Sequence, residues 1–144
     1  MYDNWEELEK AIKGCNKCKL CNGRRNIVFG TGNKEADLML IGEGPGADED
    51  IQGIPFVGKA GQLMNKAFIG LGIKREEVYI ANIVKCRPPN NRDPEKEEAM
   101  MCINYLRNQV MLVKPKVIVL LGRIALTNIL GEEYKITASR GQVI

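Results

Sequence analysis

Hydrophobic positions along the chain recur with two periods, one helical and one strand-like. Leu8, Ala11 and Ile12 share one face behind Asn4, a natural N-cap with Glu7 at the capping-box position. A short helix over residues 3–13 is therefore expected, and its end delivers Cys15. The apolar run from Asp37 to Gly42 is bounded by turn residues and predicts a buried strand. Gly42 to Gly58 shows no period and is rich in glycine, proline and acid, as loops are. From Lys59 onward, Ala60, Leu63, Met64, Ala67, Phe68 and Leu71 fall on one face of an amphipathic helix that Gly72 closes. Val78 to Val84 predicts a second strand, and the prolines, asparagines and arginines of Cys86 to Asp93 predict a loop. Asp93 as N-cap, Pro94 at the first helical position and Glu95, Glu97 and Glu98 beyond it begin a helix that Pro115 must end. Val117 to Leu121 reads as a third buried strand, followed by Gly122, a helix from Arg123 to Leu130 and Gly131 as its stop.

This β-α-β-α-β-α order predicts an α/β three-layer sandwich, with a mostly parallel central sheet and helices on both faces. In such sheets ligands collect in the crevice outside the carboxyl ends of the strands, where the loops beginning at Gly42, Lys85 and Gly122 converge. Val143 and Ile144 are the expected start of a fourth strand, so the sheet is expected to be incomplete. A length of 144 residues fits one domain, spanning 1–144, and no internal repeat is present. The longest apolar runs fall far short of the roughly 18 residues a membrane span needs. No signal-peptide pattern follows Met1, and a soluble, cytoplasmic, monomeric protein is expected.

Composition narrows the chemistry. Lys and Arg number 21 against 18 Asp and Glu, a net charge of +3, which permits a local basic face without demonstrating a nucleic-acid partner. There is no histidine, which removes histidine triads, histidine-ligated metals and imidazole acids from the possible mechanisms. Five cysteines without a secretory signal argue against a disulfide framework. Cys15, Cys18 and Cys21 form a C-x-x-C-x-x-C run whose spacing suits one soft metal centre, iron or zinc, with Cys86 and Cys102 far downstream.

The first loop reads Gly42-Glu43-Gly44-Pro45-Gly46 and continues through Gly53-Ile54-Pro55-Phe56-Val57-Gly58-Lys59-Ala60-Gly61. Glycines at this density let backbone approach a flat ligand closely, although an ordinary strand-to-helix turn has the same composition. Neither the P-loop nor the dinucleotide fingerprint is present. In the second loop, Lys85, Arg87 and Arg92 are interleaved with amides, including Asn91, in a pattern that suits phosphate contact. Asn82 offers a donor–acceptor edge able to read a base; the alternative is a turn residue at a strand end.

Taken together and in order, these motifs resemble the family 4, iron-sulfur branch of the uracil-DNA glycosylases. The resemblance runs through the first cysteine pair, Gly-Glu-Gly-Pro-Gly, Pro-Phe-Val-Gly-Lys-Ala-Gly, Lys-Cys-Arg-Pro-Pro-Asn-Asn-Arg and the strand end Leu120-Leu121-Gly122, nearly the whole chain. It implies a DNA glycosylase that hydrolyses the N-glycosidic bond of uracil in DNA during base excision repair. It also implies a 4Fe-4S cluster on Cys15, Cys18, Cys86 and Cys102, a staple rather than a redox agent. Cys21 lies outside the family pattern and reads as a spare thiol or an additional ligand. Phe56 would stack on the extruded base, or pack in the core, while Asn82 and the backbone of Gly42 and Gly44 would hold the uracil edge. Glu43 and, less directly, Glu49 would orient the attacking water or oppose charge on the sugar, unless they are surface acids. Lys85, Arg87, Asn91 and Arg92 would contact uracil-containing DNA, with Lys59 and Arg123 as further candidates.

Family members carry a His-Pro-Ser motif after a further strand, and this chain stops at Ile144 without a histidine. The expectation is a domain missing the usual C-terminal segment, with impaired activity. The competing expectation is a non-catalytic iron-sulfur module that binds DNA or protein.

Overall fold

The computed structural model describes residues 1–144. The central sheet has the strands β1 (Thr31–Gly32), β2 (Leu38–Gly42), β3 (Tyr79–Asn82) and β4 (Val117–Leu120), in the order β1-β3-β2-β4. β1 runs antiparallel to β3, whereas β2 is parallel to both β3 and β4. The helices are α1 (Trp5–Ile12), α2 (Ala47–Gln52), α3 (Lys59–Leu71), α4 (Lys96–Val113), α5 (Arg123–Leu130) and α6 (Ile136–Ser139). None is long and apolar enough to cross a membrane.

Strand alternation sends successive side chains to opposite faces and so defines two cores. Met39, Ile41, Tyr79 and Ala81 point to one face, where Leu8 and Ile12 of α1, Ala99, Cys102, Tyr105 and Leu106 of α4 and Ala125 of α5 pack. Leu40 and Ile80 point to the other, against Phe68 of α3 with Val78, Phe56 and Met64. Helices therefore cover both faces, and the predicted three-layer architecture holds. Asn4 caps α1 as expected, accepting the N–H of Glu7 at 2.9 Å.

Several boundaries differ from the expectation for physical reasons. α4 begins at Lys96 rather than Pro94, because Glu95 is the N-cap: its own N–H donates to the Glu98 carboxylate at 2.8 Å in a capping box. Within the stretch expected to be loop, α2 forms on Gly46, whose N–H is held by Glu49 at 3.1 Å. β4, expected to be buried, is an edge strand paired only with β2, and Val117, Ile118 and Val119 remain 56%, 38% and 37% exposed. Val143 and Ile144 form no strand and are exposed.

α3 lies at the expected place but is rotated about its axis. Phe68 is buried as expected, but Leu63 and Leu71, assigned to the same face, are exposed, and Gly61 faces inward in their place. The cause is a close approach at Gly61, where any Cβ would overlap the carbonyl oxygen of Phe56. Only a glycine can meet that backbone, and its position fixes which side of the helix is inward. Gly61→Ala is therefore expected to cost about 1–3 kcal/mol through forced backbone displacement. Chemical denaturation against the unsubstituted chain checks it, with an unchanged midpoint as the contrary result.

Candidate active site and thiol cavity

The carboxyl ends of β2 and β3 set the centre of the site. Their parallel register places Gly42 beside Asn82, and alternation points both toward the α3 face, the face that carries Leu40 and Ile80. A Cβ at Gly42 would lie 2.5 Å from Phe56 Cζ and 2.6 Å from Asn82 Oδ1. The missing side chain thus leaves the space in which the aromatic edge and the amide oxygen meet. Gly42, Phe56 and Asn82, picked out separately in sequence, form one cluster. Asn82 is only 2% exposed, and its Oδ1 has no hydrogen-bond partner. An orphaned buried acceptor costs about 1–3 kcal/mol and calls for a donor from outside the chain.

Phe56 adopts φ 55°, a left-handed conformation costing roughly 1–3 kcal/mol for such a residue. The segment is fixed from two sides. Glu49 accepts from the N–H groups of Val57 at 2.8 Å, Gly58 at 2.7 Å and Gly46 at 3.1 Å. Burial alone would push its carboxyl up, but the N–H groups of Gly58 and Val57 outweigh that and hold it below the usual range. Glu49 is thereby corrected from a water-orienting acid to the tie between the two glycine-rich segments, since both its oxygens are occupied by backbone donors. From the other side, Arg75 reaches the carbonyls of Pro55 and Phe56.

Glu43, Gly44, Asn91 and Arg92 line one polar groove with Pro45, Gly46, Pro88 and Pro94. Gly44 is needed there, because a Cβ would come within 2.7 Å of Val84 Cγ2. The Glu43 carboxyl is pushed up to about 7, first by burial and then by a hydrogen bond and repulsion from Asp93, with Arg123 opposing. Arg123 Nη2 in turn donates to Asp93 Oδ2 at 2.5 Å. All three loops therefore touch through Glu43, Asp93 and Arg123. In the sequence Asp93 reads only as a helix cap; its place at the end of the second of the three converging loops was the available signal.

The expected DNA-contacting cations divide. Lys85 is corrected: it is 1% exposed and its Nζ donates to Gln109 Oε1 at 2.6 Å, so the ammonium does not reach the surface. Burial lowers its pKa to about 7, against the attraction of Cys102. Arg92 binds both oxygens of the buried Glu98, at 2.8 and 2.9 Å, and so supports the start of α4 rather than presenting a free fork. Arg87 donates to Asn91 Oδ1 at 2.9 Å, and Asn91 stands on a left-handed turn with φ 54°. Lys59 is exposed at the start of α3.

On the opposite face of the sheet, Cys15, Cys18, Cys21, Cys86 and Cys102 line one cavity with Ile12, Ile27 and Met101. No three cysteine or carboxylate groups converge on a single-ion position. The thiols line a small, mostly apolar cavity, and several already receive donors: Lys85 N–H to Cys102 Sγ at 3.3 Å, Arg24 Nη1 to Cys86 Sγ at 3.5 Å, Tyr105 Oη to Cys15 Sγ at 3.2 Å. Such N–H and O–H groups on sulfur suit thiolates that bind a multi-atom anionic centre. Burial pushes Cys102 up to about 11 and raises Cys18 and Cys86 as well, which favours the protonated thiols near neutrality. Cys21 lines the same cavity, with its thiol turned to Asn22 Oδ1 at 3.6 Å.

A mostly parallel open sheet with helices on both faces thus carries a polar groove and a cluster of glycine, aromatic and amide outside the carboxyl ends of its strands, the place where ligands collect in α/β folds. Comparison with known proteins makes this specific. The model of the uracil DNA glycosylase superfamily matches residues 29–144. The type-4 uracil-DNA glycosylase of Archaeoglobus fulgidus is 46% identical over 123 residues, covering 85% of this chain and 62% of that protein. That of Saccharolobus solfataricus is 49% identical over 122 residues, 84% of this chain and 56% of the relative. That of Thermotoga maritima is 45% identical over 148 residues, 100% of this chain and 77% of the relative. The chain belongs to the uracil DNA glycosylase superfamily and, within it, to the type-4 group. It spans about three fifths of the length of the Archaeoglobus and Saccharolobus relatives.

The Glu43 environment yields a pH prediction. Its folded-state pKa of about 7 lies above the ordinary 4.5, so its contribution to stability is fully present below about 4.5 and is lost as pH rises through 7. Glu43→Gln should flatten the fall in thermal midpoint across that window. By carboxyl-carbon NMR, Asp93→Asn should lower the Glu43 midpoint and Arg123→Gln should raise it; shifts of the opposite sign would contradict the arrangement.

Proposed function

We propose that this chain releases uracil from DNA by hydrolysing the N-glycosidic bond. The observation that carries the reading is the orphaned, buried Oδ1 of Asn82 beside the Phe56 ring and the Gly42 backbone. Uracil presents an N–H between two carbonyls, and that N–H matches the free acceptor. Cytosine presents a bare ring nitrogen at the same position, which would leave Oδ1 unpaired and so be rejected. The ring of Phe56 would restore part of the stacking a base loses when it leaves the duplex.

Cleavage separates C1′ from N1, leaving positive charge on the sugar and negative charge on the departing base. Backbone N–H groups of the Gly42–Gly44 loop and the Asn82 amide would stabilise the anion. Glu43, with a carboxyl that titrates near neutrality, would accept a proton from the attacking water or oppose the charge on the sugar. Cys15, Cys18, Cys86 and Cys102 would hold a 4Fe-4S cluster, which when bound supplies a cross-link between the N-terminal segment, the second loop and α4. Arg87, Asn91 and Lys59 remain the candidates for contact with the DNA backbone, the substrate being uracil-containing DNA and the protein acting as a monomer.

The test is release of free uracil from a uracil-containing oligonucleotide by iron-loaded protein. Asn82→Ala should reduce release roughly a hundredfold. It should also hold or raise the thermal midpoint, because the substitution removes an unpaired acceptor. Unchanged release in that variant would remove Asn82 from the uracil edge. No release by the unsubstituted, iron-loaded chain would favour a non-catalytic iron-sulfur module that binds DNA or protein. Cys86→Ser should lower the iron content; full iron in that variant would remove Cys86 from the ligand set.

A further inference from the structure

Arg75 lies outside the three loops of the site, in the 3-10 turn Arg75–Glu77 between α3 and β3. Its guanidinium is half-buried, and no carboxylate pairs with it. Instead, Nη1 donates to Phe56 O at 2.7 Å and to Asn65 Oδ1 at 3.0 Å, while Nη2 donates to Pro55 O. A buried cation committed to main chain is a costly way to hold an ordinary loop.

The two carbonyls belong to the two peptide planes that flank the Phe56 Cα. The rotation of one plane relative to the other is the φ and ψ of Phe56. A rigid planar fork that grips both oxygens therefore sets both angles at once, and φ stands at 55°, where an aromatic residue does not rest unaided. Gly61 packs against the same Phe56 carbonyl, which any Cβ there would meet. The result is read at the ring, which is delivered against Gly42 next to the free Oδ1 of Asn82.

We propose that Arg75 is a positioning residue for base recognition, holding the Phe56 main chain in the left-handed conformation that places the ring beside the Asn82 amide. This rests on the uracil-releasing reading given above. Asn65 orients the guanidinium, so the device extends from the turn after α3 back through the helix to the loop before it. A lysine retains the charge but not the fork, and cannot fix two planes together.

The test uses the full iron-loaded chain and two independent readouts. Arg75→Lys should lower kcat/KM for uracil release by about tenfold or more, and Phe56→Ala should lower it as well. In a double-mutant cycle, Arg75→Lys added to Phe56→Ala should change release less than twofold, because the ring through which Arg75 acts is gone. Full additivity of the two losses would overturn the proposal. The second readout needs no activity: amide hydrogen exchange at Val57 and Gly58 should quicken at least tenfold in Arg75→Lys, and less strongly in Asn65→Ala, with the β2 and β3 amides unchanged. Unchanged exchange at Val57 and Gly58 would overturn it too. Absence of uracil release by the unsubstituted chain would defeat the glycosylase reading alone, and the exchange measurement would still decide whether Arg75 positions Phe56.

Discussion

The parallel pairing that sets Gly42 beside Asn82 is the constraint on which the rest of the site depends. A slip by one residue would turn the amide to the α1–α4 face and bring Ala81 or Ile83 to the aromatic ring. The two cores enforce the register, by burying Met39, Ile41, Tyr79 and Ala81 on one side and Leu40 and Ile80 on the other. The hydrophobic effect therefore acts on the site indirectly, through strand register. The backbone ladder carries the register past the strands, with Ile83 N–H on Gly42 O at 2.9 Å and Val84 N–H on Glu43 O at 3.1 Å. The first two loops leave the sheet together for that reason.

Around this frame, charged side chains act mainly on the main chain. Glu49 holds three N–H groups, Arg75 two carbonyls, and Asp50, 3% exposed, accepts from the N–H groups of Arg25 and Asn26. Loops this rich in glycine have little packing of their own, and ionised groups are the strongest donors and acceptors available to fix them. The Glu43, Asp93 and Arg123 set differs, because its members face one another rather than backbone, and Glu43 lines the groove.

Much of this was legible in the sequence. α5 has the bounds that Gly122 and Gly131 imply, α1 has the cap that Asn4 implies, and the three converging loops lie where strand alternation puts them. The errors share one origin, which is that neighbours in sequence are not neighbours in environment. Lys85 falls in the same stretch of cations interleaved with amides as Arg87 and Arg92, yet it continues the buried run of β3 and turns inward to Gln109. Leu63 and Leu71 were given the inward face of α3 by periodicity alone, and a single backbone contact at Gly61 outweighed them. Arg75 carried no signal, since its partners are carbonyl oxygens that every residue has.

The docking of the N-terminus has a consequence for the order of folding. Tyr2 exchanges two hydrogen bonds with Asn108, at 2.8 and 2.9 Å, and α1 packs on α4, so contacts at the start of the chain wait for residues about a hundred positions later. A chain emerging from the ribosome leaves Leu8 and Ile12 without their α4 partners until those residues have been made. Closing so long a loop is among the slower steps of folding a domain of this size. The thiols of Cys15 and Cys18 share a cavity with those of Cys86 and Cys102, the last of them in α4, so any group they hold together waits for α4 to be made and docked.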